Sequence, residues 1–306
     1  MSYVTQPNAP VQAAALVLAA MAIIGYVDNL VVQIAAEAGL WQFHLMRAAL
    51  ALPLIVGIGA VMGWRVAARR PWAVLLRGAC LAASMVFYFG ALAFLPVAQA
   101  VAGLFTAPLF VLAISVVWLR VRPRAEVVAA VLIGLVGSLM VLRPDPSALR
   151  PALLLPIAGA AFYALSALAT RRICAGESAL SLLAGFFVAM LGFSVIGALA
   201  TAGNAAPPGP DGFLARGWVA PSAQVLALTA VQAVASVICV GMITRAYILA
   251  EAPQVAVFEY SLLIFAAIWG FLLYDERIDA VGVLGMALIL ASGALLFRAE
   301  RRAATA

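Results

Sequence analysis

Residues 91–105 read ALAFLPVAQAVAGLF and residues 246–260 read AYILAEAPQVAVFEY. At one constant offset Ala91 meets Ala246, Gln99 meets Gln254 and Phe105 meets Tyr260. Short apolar spans follow in both copies, ending in VWLRVRPRAEVVAAVLIGLVG (Val117–Gly137) and FLLYDERIDAVGVLGMALILASG (Phe271–Gly293). Upstream, IIGYVDNL around Asp28 resembles AAFYALSAL around Tyr163. The chain therefore reads as a duplicated unit, and the nature of that unit decides the fold.

The unit is membranous. Mean hydropathy is +1.14 and 10% of residues are charged, against about 25% in soluble domains. Charges fall in short intervals that leave about ten apolar stretches. A bilayer crossing needs about 20 apolar residues, which places spans near 11–35, 40–63, 74–95, 98–119, 126–143, 152–170, 178–201, 222–248, 253–274 and 279–298. The expectation is an all-α integral membrane protein. Ten transmembrane helices form two five-helix repeats, 11–143 and 152–298, within a single membrane domain covering 1–306. Duplicating an odd number of spans inverts the second copy, and inverted halves enclose a central cavity that opens to either side. The first apolar stretch lacks a basic leader and is long for a signal-peptide core, so it is read as a retained span.

Arginines give the orientation. Arg65, Arg69, Arg70, Arg77, Arg120, Arg122, Arg124, Arg171 and Arg172 follow spans two, four and six, and Arg298, Arg301 and Arg302 lie in the tail. The other side holds only Arg143, Arg150, Arg216 and Arg277, so both termini are expected in the cytoplasm. The same rule accounts for the net charge of +6 without nucleic acid. Trp64, Trp72 and Trp118 fall at the inner boundary and Trp41 and Trp218 at the outer one, as interface anchors do; Trp269 lies deeper. An arginine-rich chain without lysine points to a GC-rich bacterial genome, hence to a bacterial inner membrane.

Polar residues inside spans are costly and mark function or pairing. Asp28 and Asn29 interrupt span one, and His44 and Arg47, three apart on one helix face, interrupt span two. Asp28 and Arg47 fall at similar depth. Arg47 then binds a carboxylate or phosphate of a substrate, with Asp28 holding it or receiving the substrate's cation; the alternative is a permanent Asp28 to Arg47 bridge. His44 is either a proton switch or a packing residue. Glu259 and Tyr260 interrupt span nine near Gln254 and Glu251, making Glu259 the candidate for proton coupling or a packed neutral acid. Tyr88, Gln99, Thr106, Tyr163, Ser166 and Gln232 line a cavity or bridge helices. Phe87, Phe89, Phe105 and Phe162 are candidate aromatic walls, and Pro53, Pro108 and Pro156 candidate kinks.

Cys80, Cys174 and Cys239 lie far apart with no CxxC, and His44 is the only histidine, so neither a disulfide nor a metal site is read and no cofactor is expected. His44 has no serine within helical reach, and no HExxH or phosphate loop occurs, which argues against an intramembrane enzyme.

Four segments together resemble the drug/metabolite transporter superfamily in its EamA-type branch over residues 11 to 298. They are FHLMRAALALP (Phe43–Pro53), the LRG of Leu76, Arg77 and Gly78, LPVAQA (Leu95–Ala100) followed by Pro108, and DERIDAVGVLG (Asp275–Gly285). Family members often carry an acid where Glu276 stands after span nine; Val121 occupies that place in the first copy. The resemblance implies a ten-helix carrier moving an amino-acid-like, nucleotide-like or vitamin-like metabolite by alternating access. Efflux of apolar cations is the alternative. The expected partners are a small-molecule substrate and the lipid bilayer, for a monomer or homodimer.

Overall fold

In apolar surroundings each backbone amide must find its partner within its own segment, so the apolar stretches form helices. The computed structural model describes residues 10–117, 120, 124–142, 151–249 and 258–304. Arg122, Trp118, Val121, Arg143, Arg150, Glu251 and Gln254 lie outside the described residues, as do the side chains of Arg171, Arg301 and Arg302.

The helices are α1 (Pro10–Asn29), α2 (Val31–Glu37), α3 (Leu40–Met62), α4 (Pro71–Ala91), α5 (Val97–Leu104), α6 (Ala107–Val117), α7 (Ala125–Leu142), α8 (Leu154–Arg172), α9 (Ala179–Ala200), α10 (Pro210–Phe213), α11 (Ala223–Leu249), α12 (Ser261–Tyr274) and α13 (Ala280–Ala304). Seven segments are long and apolar enough to cross a membrane, taking α1 with α2 and α5 with α6 as single crossings; Leu154–Thr170, Ser261–Tyr274 and Ala280–Leu295 are shorter apolar helices. Among the described residues there is no strand.

Local chemistry sets the ends. Pro71 opens α4, where its missing N–H costs nothing. Ser178 caps α9 by accepting the Ser181 amide, and Gly63 closes α3 at φ +64°. Two spans break internally. The first turns at Leu30, immediately after Asp28 and Asn29. The fourth, read as one span over 98–119 with Pro108 a candidate kink, breaks at Phe105 and Thr106. There the Thr106 hydroxyl takes the Gly103 carbonyl at 2.7 Å, and Pro108 has no N–H to extend the ladder.

Helices pack in related pairs: α4 on α8 and α1 on α11, α4 on α9 and α11 on α3, and then α3 on α9 and α7 on α13. The α7–α13 contact brings the two backbones together. A Cβ placed on Gly285 would meet the Gly137 carbonyl oxygen, and one on Gly137 would meet the Gly285 carbonyl oxygen. Such close approach drives helix association where no hydrophobic effect operates.

Both ends of the α3–α9 pair are joined by loops. At one end the Glu177 carboxylate accepts the amides of Arg69 and Arg70, and the Ser178 hydroxyl donates to the Arg65 carbonyl. At the other, the segment after α9 folds back over α2 and α3. Arg216 donates to the carbonyls of Ala35, Ala38, Pro207 and Gly209, and Gln42 exchanges two hydrogen bonds with the backbone of Val219. Phe213 is fully buried there, in the same cluster as Leu40, Phe43 and Phe89.

Candidate functional site

Arg47 lies two turns into α3, about 10 Å from its start. It is 2% exposed. Its guanidinium carbon stands 4.5 Å from the ring centre of Phe89 on α4, 5.5 Å from Phe43 on its own helix and 5.8 Å from Phe187 on α9. Phe43 is one turn before Arg47, so both project from the same face. Among the described residues Arg47 makes no ion pair, and its buried Nε has no hydrogen-bond partner.

His44 completes the cluster. Its ring is tilted against Phe43 at 4.9 Å and edge-on to Phe89 at 5.1 Å. It is fully buried, and neither ring nitrogen has a hydrogen-bond partner. Three aromatic rings thus surround the guanidinium, and two of them pack on an imidazole whose ring nitrogens are unpaired.

Asp28 is close enough to Arg47 for an electrostatic interaction but does not bridge to it. Instead its Oδ2 accepts the Tyr88 hydroxyl at 2.8 Å. Gln232 of α11 donates to the neighbouring Val27 carbonyl. Asn29 turns away, donating to the carbonyls of Gly25 and Ala266 and so tying α1 to α12. The alternative of a permanent Asp28 to Arg47 bridge is therefore not what the structure shows, because the carboxylate is presented to Tyr88 on α4.

The other named residues lie elsewhere. Tyr163 on α8 has Glu259, Arg77 and Tyr260 as its electrostatic neighbours. Tyr260 packs edge-on against Phe105 at 4.9 Å, and Phe87 stacks on Phe162 at 5.7 Å. Gln99 is half-buried on α5. Trp269 donates to the Ala22 carbonyl and meets Tyr26 edge-on, which makes it a packing residue between α12 and α1. The groove between α1 and α11 is lined by Ile23, Tyr26, Val27, Ala230, Val231, Val234, Ala235 and Ile238, all without polar surface toward it, and it does not reach Arg47. Among the described residues no cluster of His, Cys, Asp or Glu has metal-binding geometry.

Of the residues brought together here, the sequence reading named Arg47, His44, Asp28, Tyr88 and Phe89 as candidates and did not so name Phe43 or Phe187. Phe43 had a signal in its one-turn spacing from Arg47. Phe187 comes from the second half of the chain and had none.

No family model matches the chain. A riboflavin transporter of Rhizobium johnstonii is 27% identical over 270 residues, covering 87% of this chain and 82% of that protein. An S-adenosylmethionine uptake transporter of Rickettsia bellii is 23% identical over 234 residues, 76% of this chain and 75% of that one. The pseudopaline exporter CntI of Pseudomonas aeruginosa is 27% identical over 229 residues, 74% and 75%. A solved crystal structure superposes with a TM-score of 0.65 over 94% of this chain and 98% of that chain at 19% identity, which shows a shared fold. This chain is a multi-helix membrane protein similar to bacterial transporters of small metabolites.

Proposed function

We propose that the protein is a secondary active transporter of a small polar or zwitterionic organic metabolite. Two inverted five-helix repeats expose its site alternately to either side of a bacterial inner membrane, with both termini in the cytoplasm. The reading places the chain in the EamA-type branch of the drug/metabolite transporters.

Buried, unpaired Arg47 carries this reading. Removing an ion from water costs several kcal/mol even after relaxation, whereas a desolvated cation over an aromatic ring recovers about 2 kcal/mol. The cage leaves a deficit that an oxyanion ligand would offset. Arg47 thus receives the carboxylate or phosphate of the substrate, His44 offers a second hydrogen bond, and Asp28, steadied by Tyr88, faces the substrate's cationic end. Asn29, Gln99, Tyr163 and Tyr260 belong to the remainder of the path, and Glu259 is the proton-coupling candidate. A buried guanidinium in the site disfavours the alternative, efflux of apolar cations.

Contacts between equivalent residues support the inverted duplication. The offset that carries Ala91 to Ala246 also carries Gly137 to Ser292, Ala130 to Gly285 and Gly134 to Ile289. Gly137 lies against Gly285 and Ile289; reciprocally, Ser292 lies against Gly134 and donates to the Ala130 carbonyl. In α3 and α9, Gly59 faces Leu180 and Gly197 faces Trp41. Such reciprocity is what a two-fold axis between antiparallel copies produces.

The names of the relatives support a metabolite as cargo, so the test is uptake into proteoliposomes of labelled riboflavin, S-adenosylmethionine and a panel of amino acids and nucleosides. Saturable uptake of one of these is expected, and Arg47→Ala abolishes it while leaving folded, monodisperse protein. An Arg47→Ala protein that folds and transports normally removes the substrate-site reading. Identical pH profiles for wild type and Glu259→Gln remove the coupling role of Glu259.

A further inference from the structure

Pro156, Gly159, Tyr163, Ser166 and Thr170 recur every three or four residues and share one face of α8. That face looks into the protein. Pro156 lies against Gly103, Gly159 against Ser84 and Phe87, and the Thr170 hydroxyl accepts a hydrogen bond from Arg77 Nε at 3.0 Å. Ser166 is 2% exposed, yet Tyr163, in the middle of the same row, is 41% exposed. A tyrosine on that face with so much accessible surface is not closed over by the helices it faces. Its electrostatic neighbours are Glu259 and Tyr260, just before α12, and Arg77 on α4.

Arg77 has chemistry to spare there. It lies about 9 Å inside the start of α4. Its Nε is bonded to Thr170 and one terminal nitrogen to the Leu182 carbonyl at 3.4 Å. Both partners are neutral, and among the described residues Arg77 has no ion pair. The remaining N–H groups of the guanidinium fork suit an oxyanion. At the repeat offset Arg77 corresponds to Gln232, an uncharged residue, so this cation belongs to one end of the bundle only. Because α3 and α4 run in opposite directions, Arg47 and Arg77 lie in opposite halves of the membrane.

We propose that Arg77 and the Tyr163 hydroxyl form a second oxyanion-binding station, for a carboxylate or phosphate, in a vestibule at the end of the bundle opposite Arg47. The proposal rests on the transport reading: the anionic group of the substrate is handed between Arg47 and Arg77 as the site changes sides. Glu259 borders the same space with opposite charge, so Arg77 is what draws an anion into it.

The experiment measures local charge and needs no known substrate. Cys80, Cys174 and Cys239 are replaced by alanine, and Tyr163→Cys is reacted in nanodiscs with sulfonatoethyl and trimethylammonioethyl methanethiosulfonate, each rate normalised to a free thiol. The anionic reagent is expected to react roughly fivefold faster, as a unit charge about 8 Å away in water would produce. Arg77→Gln should reduce that preference to parity or reverse it, while Arg77→Lys should keep it. Equal rates for both reagents with Arg77 intact overturn the station. Failure of both reagents on protein that reacts fully once denatured overturns the vestibule. Phosphatidylcholine bilayers are compared with bilayers containing phosphatidylglycerol, and a preference lost only in the latter assigns the station to a lipid headgroup and overturns the substrate route. None of these rates depends on transport, so failure of the Arg47 assay and failure of this one are separable.

Discussion

Phe105 and Tyr260, the two residues that align at the close of the repeated segment, touch each other edge-to-face with ring centres 4.9 Å apart. Contact between aligned residues is what the proposed two-fold relation between antiparallel copies would produce beside its axis. Phe105 sits where the fourth span breaks, and Tyr260 immediately precedes α12. In membranes such irregular backbone persists where protein or a water-lined path surrounds it.

Edge-to-face aromatic pairs contribute about 0.5–1.5 kcal/mol beyond area burial. A double-mutant cycle of Phe105→Ala and Tyr260→Ala, read by thermal unfolding in detergent, should return a coupling of that size. Additive losses would mean that the rings pack on other neighbours rather than on each other.

Gly285→Ala and Gly57→Ala form a matched pair on two apolar helices. A Cβ on Gly285 meets the Gly137 carbonyl and the side chains of Met140 and Val141, whereas one on Gly57 meets nothing within 4 Å. Overpacking costs about 1–3 kcal/mol, and replacing a helical glycine with alanine in open space gains about 0.5–1 kcal/mol. Gly285→Ala should therefore lower, and Gly57→Ala preserve or raise, the apparent melting temperature in detergent.

How much was legible follows from where each signal resides. Seven spans were readable because charges cluster between them, and the fourth-span kink was signalled by Pro108, whereas the break after Asn29 was not read. Partner choice was not. The depth arithmetic brings Asp28 and Arg47 to one level, but helix rotation gives the carboxylate to Tyr88 and leaves Arg47 to Phe43, Phe89 and Phe187. Arg216 looked like one of a few loop arginines, yet it is 3% exposed. Its partners are backbone carbonyls, which every residue possesses and no sequence pattern advertises.

Glu177 supplies a pH dependence whose sign follows from its bonds. The amides of Arg69 and Arg70 and the Ser181 hydroxyl donate to its carboxylate and hold its pKa below the ordinary value of 4.5. A group depressed in the folded state stabilises it above the unfolded-state pKa, and that contribution is lost as pH falls through the folded value. The stability difference between wild type and Glu177→Gln should thus be constant at neutral pH and shrink below about 4.5. A difference that grows toward acid pH would contradict the bonding at this loop.

Arg216 offers the sharpest contrast between two cations. Its planar fork reaches the carbonyls of Ala35 and Ala38 at the end of α2 together with those of Pro207 and Gly209 in the overlying segment. A lysine ammonium is a single point on a flexible stem and cannot serve both pairs. Hydrogen bonds from a charged donor contribute about 1.5–3 kcal/mol each, so losing one pair should make local opening of residues 201–222 at least about tenfold more frequent. Limited digestion with thermolysin, which does not depend on the arginine itself, should cut Arg216→Lys in that segment correspondingly faster while the membrane helices stay intact. Equal cleavage rates would show that Phe213 and the Gln42 to Val219 bonds hold the segment without help from the guanidinium.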